Sequence, residues 1–361
     1  MERYTLLFKG ELLAESPLAI SPPDTHKKRG RDQPQTLPVM GVFGEYGYIE
    51  TVYVPAASIR GALRRCALRV VREALIAATG ESTPLDLETH YFLSVGGVKG
   101  REKEDKLNLT RQLERRRRNP LISLFGAGDP WVQGRLCTQP AIPKTPLTLA
   151  ATPIINGVRS DDFMRNPDQL IFIAPDEVAS WLLMREQTTE VSTVKARQQS
   201  LRRAIAKANR EADGDRAQTL AEELKQADEI VQNSANPVNL PLAGYHVIPK
   251  GARLEHGFIL IDANAVEIGL FLAALKRFST LPLLGGHRNH GCGLISAFWT
   301  VLLRRDDGSE TQGDIRLSPY SEITLDSASE LLLNAEQAWS AHAAKLCIAD
   351  FSKSLGSAET A

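Results

Sequence analysis

The sequence predicts an α+β sandwich in which strands alternate with two long helices, and three observations carry that reading. Short stretches near both ends alternate apolar and polar residues at the period of a half-buried strand. Two longer stretches, starting at Ala56 and Ala265, place apolar residues three and four apart, as one face of a helix does. The second of these is bracketed by strand patterns, which gives a strand, helix, strand unit over residues 254–303. A chain of 361 residues with 43% hydrophobic and 24% charged content can bury a core for one elaborated domain over 1–361.

Taken in order, Tyr4, Leu6 and Phe8 alternate with Thr5, Leu7 and Lys9, a strand that runs to the Ser16-Pro17 break. Residues 21–38, SPPDTHKKRGRDQPQTLP, are rich in proline, glycine and charge, and predict a long exposed loop with a compact basic cluster of Lys27, Lys28, Arg29 and Arg31. From Ala56 to Ala78 a helix puts Ile59, Leu63, Ala67, Val70 and Ala74 inward and Arg65, Arg69 and Arg72 outward. Residues 101–118 hold eight Lys or Arg against four acidic residues, and end in Arg115, Arg116, Arg117 and Arg118 ahead of LISLFGAG.

Residues 194–233 read as an inserted helical hairpin. Leu201, Ile205, Ala208 and Ala212 step by four, three and four; Leu220, Leu224, Ala227 and Val231 repeat the stepping after Asp213-Gly214-Asp215. The first arm is basic, with Lys195, Arg197, Arg202 and Arg203, and the second acidic, with Glu222, Glu223, Asp228 and Glu229. Leu254, His256, Phe258 and Leu260 then alternate as a strand, Ala265 to Ser279 is an apolar helix, and LISAFWTVLL is a further strand. A final helix over 327–355 carries Leu332, Ala335, Trp339 and Leu346 on one side. The order of these elements points to a ferredoxin-like core.

Composition narrows the function. Lys plus Arg and Asp plus Glu both total 43, so the net charge exerts no general pull toward nucleic acid, and any such binding rests on local charge separation. Cys66, Cys137, Cys292 and Cys347 are far apart and form no C-x-x-C pair, which leaves no disulfide framework or zinc ribbon and suits a reducing cytoplasm. Glu2, Lys9, Glu11 and Glu15 interrupt the start where a secretory apolar region would lie, and no later apolar run approaches a membrane span. The expectation is a soluble, unexported protein with no membrane partner.

Two stretches carry chemistry. In LPLLGGHRNHGCGLISAF, Gly285, Gly286, Gly291 and Gly293 surround His287, Arg288, Asn289 and His290. Such glycines let the backbone pass close to another backbone or a phosphate and aim N–H groups at it. The stretch is not a Walker loop, because Gly291 is followed by Cys292-Gly293 rather than Lys-Ser/Thr, and not a dinucleotide fingerprint, because a strand follows it rather than a helix. No cofactor is therefore expected. His287, His290 and Cys292 lack a fourth ligand for zinc, so no metal is assigned, and hydrogen bonding and stacking with RNA is the better use of the loop. An alternative is a tight helix-to-strand turn without a ligand. In VYVPAASIRGALRR, Ser58 lies near a helix start with Arg60, Arg64 and Arg65 after it, an arrangement suited to phosphate; its plain alternative is a capped amphipathic helix with a solvated face.

VPAASIRGALR, NPLISLFG with GRL after it, VIPKGARLEHGFIL and LLGGHRNHGCG, spread from Val54 to Gly293, together resemble the RAMP superfamily of CRISPR proteins, specifically its guide-RNA backbone subunits. The resemblance implies a modified RNA-recognition-motif-like core whose copies stack head to tail along the guide RNA, beside other effector subunits and a target nucleic acid paired to the guide. It implies phosphate contacts from Ser58, Arg60 and Arg64, and places Gly285, Gly286, His287, Arg288, Asn289, His290, Gly291 and Gly293 beside the same RNA. TEVSTVKARQQ and NPVNLPLAGYHVIP are similar to the flanks of the family's protruding thumb, over 186–245, which puts Val194, Lys195 and Arg197 near RNA; Lys27, Lys28, Arg29 and Arg31 complete the RNA-binding candidates. Head-to-tail stacking needs complementary surfaces on two sides of one molecule, and segregated charge blocks in a neutral chain can supply them.

The resemblance also frames the question of catalysis. Type III backbone subunits cut target RNA with an aspartate in the loop after the first strand, where this chain has Asp24 and Asp32, yet HKKRGRD does not reproduce the expected context. The large helical insertion and altered loop favour a type IV-like subunit that binds without cutting. A repeat-processing RNase using His26 or His90 as base, and an interaction protein with no RNA role, are the remaining alternatives.

Overall fold

Strand β1 (Tyr4–Ala14) buries Leu6, Phe8 and Leu12 on one face, as the alternation dictates. The chain continues through β2 (Val39–Gly44), β3 (Gly47–Val52), α1 (Ala56–Thr79), α2 (Leu87–Val95), α3 (Leu109–Arg118), α4 (Pro120–Phe125), β4 (Ala127–Gly128), β5 (Trp131–Val132), β6 (Leu136–Thr138), β7 (Ile142–Pro143) and β8 (Ile154–Ile155). It then forms α5 (Gly214–Asn233), β9 (Tyr245–His246), β10 (Arg253–Ala263), α6 (Ala265–Ser279), β11 (Ile295–Arg305), β12 (Gly308–Leu317), β13 (Thr324–Asp326) and α7 (Glu330–Ala343). This computed structural model describes residues 2–22, 34–44, 47–80, 85–97, 109–128, 131–156, 168, 174, 194, 197–198, 200–205, 214–233 and 244–351.

The main sheet has the order β13-β12-β11-β1-β10-β6, with β7 also on β10, and every pairing is antiparallel. Helix α1 lies between β1 and β6 in the chain, and α6 between β10 and β11. The strands β11-β1-β10-β6 thus form a β-α-β-β-α-β unit with the fourth and first, first and third, third and second strands adjacent, which is the ferredoxin-like arrangement. Phe8, Phe258 and Phe271 meet edge to face at its centre. Helix α6 starts on a capping box, Asn264 accepting from the Glu267 N–H and Glu267 from the Asn264 N–H, and it packs between α1 and α7.

Three departures from the sequence reading stand out. The helix expected over 327–355 spans Glu330–Ala343: Ser327 takes a positive φ of 53° before it, and at the far end Lys345 and Leu346 close tight turns onto His342 and Ala343, leading to a 3-10 turn at Ile348–Phe351. The β2–β3 hairpin was hidden by its three glycines. Finally, the chain divides into two compact units, residues 1–155 with 244–361, and residues 156–243. In the second unit residues 200–205 and α5 are helical, with Leu201 and Ala227 buried. Its arms of opposite sign pair through Arg197 with Glu223 at 3.1 Å and Arg202 with Asp228 at 3.8 Å.

Candidate nucleic-acid interface

Helix α1 sorts its arginines by face. Arg64 follows the apolar stripe of Leu68, Val71 and Leu75 one turn back, and it is only 7% exposed. Its guanidinium donates from Nε to Leu93 O (2.8 Å), from Nη2 to Phe92 O (3.0 Å), and from Nη1 to Gly126 O (3.0 Å) and Phe125 O (3.3 Å). These carbonyls belong to the C-terminal ends of α2 and α4, whose negative dipole ends supply the counter-charge. Burial, and then the neighbouring Arg60, lower its pKa to about 10, so it stays charged at neutral pH. Gly96 makes room for it, since a Cβ there would lie 2.9 Å from Arg64 Nη1. Arg60, half-buried, donates from Nη2 to Phe125 O, and its Nε is buried without a partner among the described residues.

The phosphate contact expected of Arg64 is thus corrected: its donors are spent on helix ends, where a ligand cannot reach them. Arg60 is also partly committed to the fold. Ser58 sits in the first turn of α1, half-buried, its N–H donating to Pro55 O at 2.9 Å, and the Pro55 cap offers no side-chain acceptor. The exposed face of α1 instead presents Arg65 and Arg69, one turn apart.

The glycine-rich loop is a built turn. Gly285 (φ 82°) and Gly293 (φ 105°) allow backbone contact at positions where a Cβ would lie 2.3 Å from Ala19 O and 2.6 Å from Leu284 O. The N–H groups of Gly286 and Gly293 donate to Ala19 O and Pro17 O, and those of His290, Gly291 and Cys292 close the turn on His287 O and Arg288 O. The expectation that these glycines aim N–H groups at a ligand is therefore corrected for Gly286, Gly291 and Gly293; the glycines permit the turn.

That turn holds up its side chains. His287, in the left-handed region at φ 52°, stacks on Tyr245 with centroids 3.7 Å apart and 5° between planes, and its Nε2 donates to Gln35 Oε1 at 3.3 Å. Burial and then His290 lower its pKa, favouring the neutral ring. Tyr245 Oη is 3.3 Å from His290 Nδ1. Arg288 is exposed but aimed by bonds from its guanidinium to Gly285 O and Leu283 O, both 3.2 Å, and Asn289 and His290 are exposed beside it.

The tertiary fold brings the two stretches together. Arg65 has a lowered pKa through partial desolvation, then through Arg288 and more weakly Arg69. Burial raises the pKa of Cys66 between them, while Arg69, Arg65, Arg277 and Arg288 pull it down. Arg277, in the last turn of α6, also pairs with Glu73 at 3.0 Å. Four arginines from α1, α6 and the loop thus lie within electrostatic reach of Cys66, and forked donors of this kind suit phosphate. The helical period shows the cationic face of α1, but Arg277, Tyr245 and Gln35 are distant in sequence, and only the fold brings the first to α1 and the other two to the loop.

Asp24, Asp32, His26, Lys27, Lys28, Arg29, Arg31 and Lys195 lie outside the described residues. Val194 is at a helical position and partly exposed, and Arg197 is engaged with Glu223. His90 Nδ1 accepts from Arg72 at 2.7 Å, which leaves the proton on Nε2 and no basic nitrogen free, against its use as a general base. No described helix is long and apolar enough to cross a membrane.

The family model of the RAMP superfamily matches residues 48–296, from the β2–β3 hairpin through α1 and the glycine-rich loop into β11. The chain belongs to the RAMP superfamily. Among solved structures this RAMP protein is similar to a chain of a Type IV-B CRISPR complex, with 14% identity and a TM-score of 0.42 over 84% of this chain and 91% of that one. It is also similar to Csc2 of Thermofilum pendens, with 10% identity and a TM-score of 0.35 over 99% of this chain and 90% of the other. No curated protein matches it.

Proposed function

We propose that this RAMP protein is an RNA-binding subunit of a CRISPR effector complex, which holds guide RNA by its backbone and lines up with copies of itself along the guide. The observation that carries the reading is the convergence of Arg65, Arg69 and Arg288 on one exposed surface, with the Arg288 guanidinium aimed by backbone carbonyls and His287 stacked beside it. Forked cations on a fixed turn recognise phosphate regardless of base, as a protein that leaves sequence reading to base pairing requires. The resemblance to backbone subunits, carried by motifs that include α1 and this loop, supplies the guide RNA and the effector complex. We place the protein with type IV-like subunits that bind without cutting.

The test is binding to a short single-stranded RNA across a salt titration. Arg65→Glu, Arg69→Glu and Arg288→Glu combined are expected to weaken binding at least tenfold and to flatten the salt dependence by about 0.7 per lost phosphate contact, equally for unrelated sequences. Unchanged affinity in the triple variant would remove the reading. Target RNA left intact by the guide-loaded protein, in the wild type and in Asp24→Ala with Asp32→Ala alike, is the outcome expected of a binding subunit.

A further inference from the structure

The β2–β3 hairpin exposes aromatic side chains that its own fold does not use. Phe43 is 87% and Tyr48 63% exposed, paired directly across the strands with ring centroids 5.9 Å apart. Tyr48 lies over Gly41, where a Cβ would fall 2.2 Å from its ring, so one face of the ring is seated on backbone and the other is open. Glu50 stands on the same face of the hairpin, two residues on, exposed and without an ion pair to a described residue. From Val39 to Val52 the sequence has two glutamates and no Lys or Arg.

Helix α3 presents the opposite chemistry. Leu109 (62% exposed), Leu113 (66% exposed) and Arg117 follow one another at helical i, i+4, i+8 spacing on one open stripe. The helix holds five arginines against Glu114. Arg118 pairs with Glu114 at 2.8 Å, Arg115 is buried over Phe92, and Arg116 donates to Gln133 O; Arg117 makes no ion pair with a described residue. An aromatic, aromatic, carboxylate surface thus has its counterpart in a leucine, leucine, guanidinium surface.

The two surfaces are rooted at opposite ends of β10. Strand β3 runs into Val54, which bridges Ala141 beside β7, and β7 pairs with Leu254 and Glu255. Helix α3 is tied through Arg116 and Gln133 to the neighbourhood of Arg135, which binds the Asp262 carboxylate at 2.8 Å. Eight residues of strand separate these roots by about 25 Å. Two unlike, complementary patches, both exposed and with roots that far apart, are left to pair between copies, in a contact that repeats in one direction.

We propose that the Phe43–Tyr48–Glu50 face of one copy docks on the Leu109–Leu113–Arg117 stripe of the next. The rings cover the leucines, and Glu50 meets Arg117 at the rim. The absence of cations on the hairpin, together with its carboxylate, sets it against a phosphate backbone and in favour of a cationic protein surface. The inference deepens the self-association in the proposed function and rests on it.

The test is sedimentation velocity on a single-stranded RNA long enough for several copies, with binding to a short RNA measured in parallel. Glu50→Arg and Arg117→Glu are each expected to weaken association of copies at least tenfold while short-RNA binding is kept, and the double variant to recover most of the loss, because the charges are exchanged. Phe43→Ala is expected to weaken association without altering short-RNA affinity. Single variants that assemble as the wild type does, or a double variant no better than either single, would overturn the interface while leaving RNA binding in place. A loss of short-RNA affinity in Phe43→Ala would overturn it in favour of a nucleobase as the partner. A wild type that binds short RNA but never associates would overturn self-assembly itself.

Discussion

At the scale of the residue, arginines in one helix do opposite jobs. Arg64 joins α1 to the ends of α2 and α4 through four carbonyl contacts, whereas Arg65 next to it faces solvent. Arg64→Ala is expected to cost about 3–5 kcal/mol in denaturant unfolding, since it strips four buried carbonyls of a charged donor. Arg64→Lys should cost less but still be felt, because an ammonium lacks the planar fork. His256 is a second case: it is 2% exposed, its Nδ1 accepts from Trp299 Nε1 at 3.1 Å, and its Nε2 has no described partner. Burial lowers its pKa from 6.5 to about 4. The unfolded chain therefore binds a proton in a window where the folded chain does not, and stability falls as pH drops from about 6.5 to about 4, by up to about 3 kcal/mol. His256→Gln, which keeps an acceptor for Trp299, should remove that part of the acid slope in pH-dependent melts. A slope equal to the wild type's would show that His256 is not its source.

At the scale of the element, the glycine-rich loop shows what a motif conveys and what it conceals. The glycine spacing announced a tight backbone approach, and Gly285 against Ala19 and Gly293 against Leu284 are such approaches. Which N–H groups remain for a ligand could not be read, because that depends on Pro17 and Ala19, at the far end of the sequence from the loop. Gly293→Ala is expected to destabilise the loop by about 1–3 kcal/mol and to weaken RNA binding by displacing Arg288, with α1 unchanged; a melt and the short-RNA assay together check this. In the same way, the stripe of Leu68, Val71 and Leu75, extended back one turn, points to Arg64 as an inward residue. Weighting that stripe over the motif would have separated Arg64 from Arg65.

At the scale of the whole molecule, the insertion is a separable unit. Ile154 pairs with His246 and Ile155 with Tyr245, so the chain leaves and re-enters the first unit at neighbouring points of one two-stranded ladder. Replacing residues 156–243 by a short Gly-Ser turn is expected to leave a cooperative melt within a few degrees of the full chain and to keep short-RNA binding. Loss of the folded core in that deletion would refute the separation. By itself the sequence determined the strand and helix periods, the presence of α1 and α6, the opposite signs of the inserted arms and the position of the glycine turn, because each depends on residues within a few positions of one another. The tertiary structure alone decided what the inward Arg64 binds, the carbonyl ends of α2 and α4. It also decided that α1, α6 and the loop converge on Cys66 and that the hairpin and α3 root at opposite ends of β10, because those relations follow from strand order and long-range contact, which no local period encodes.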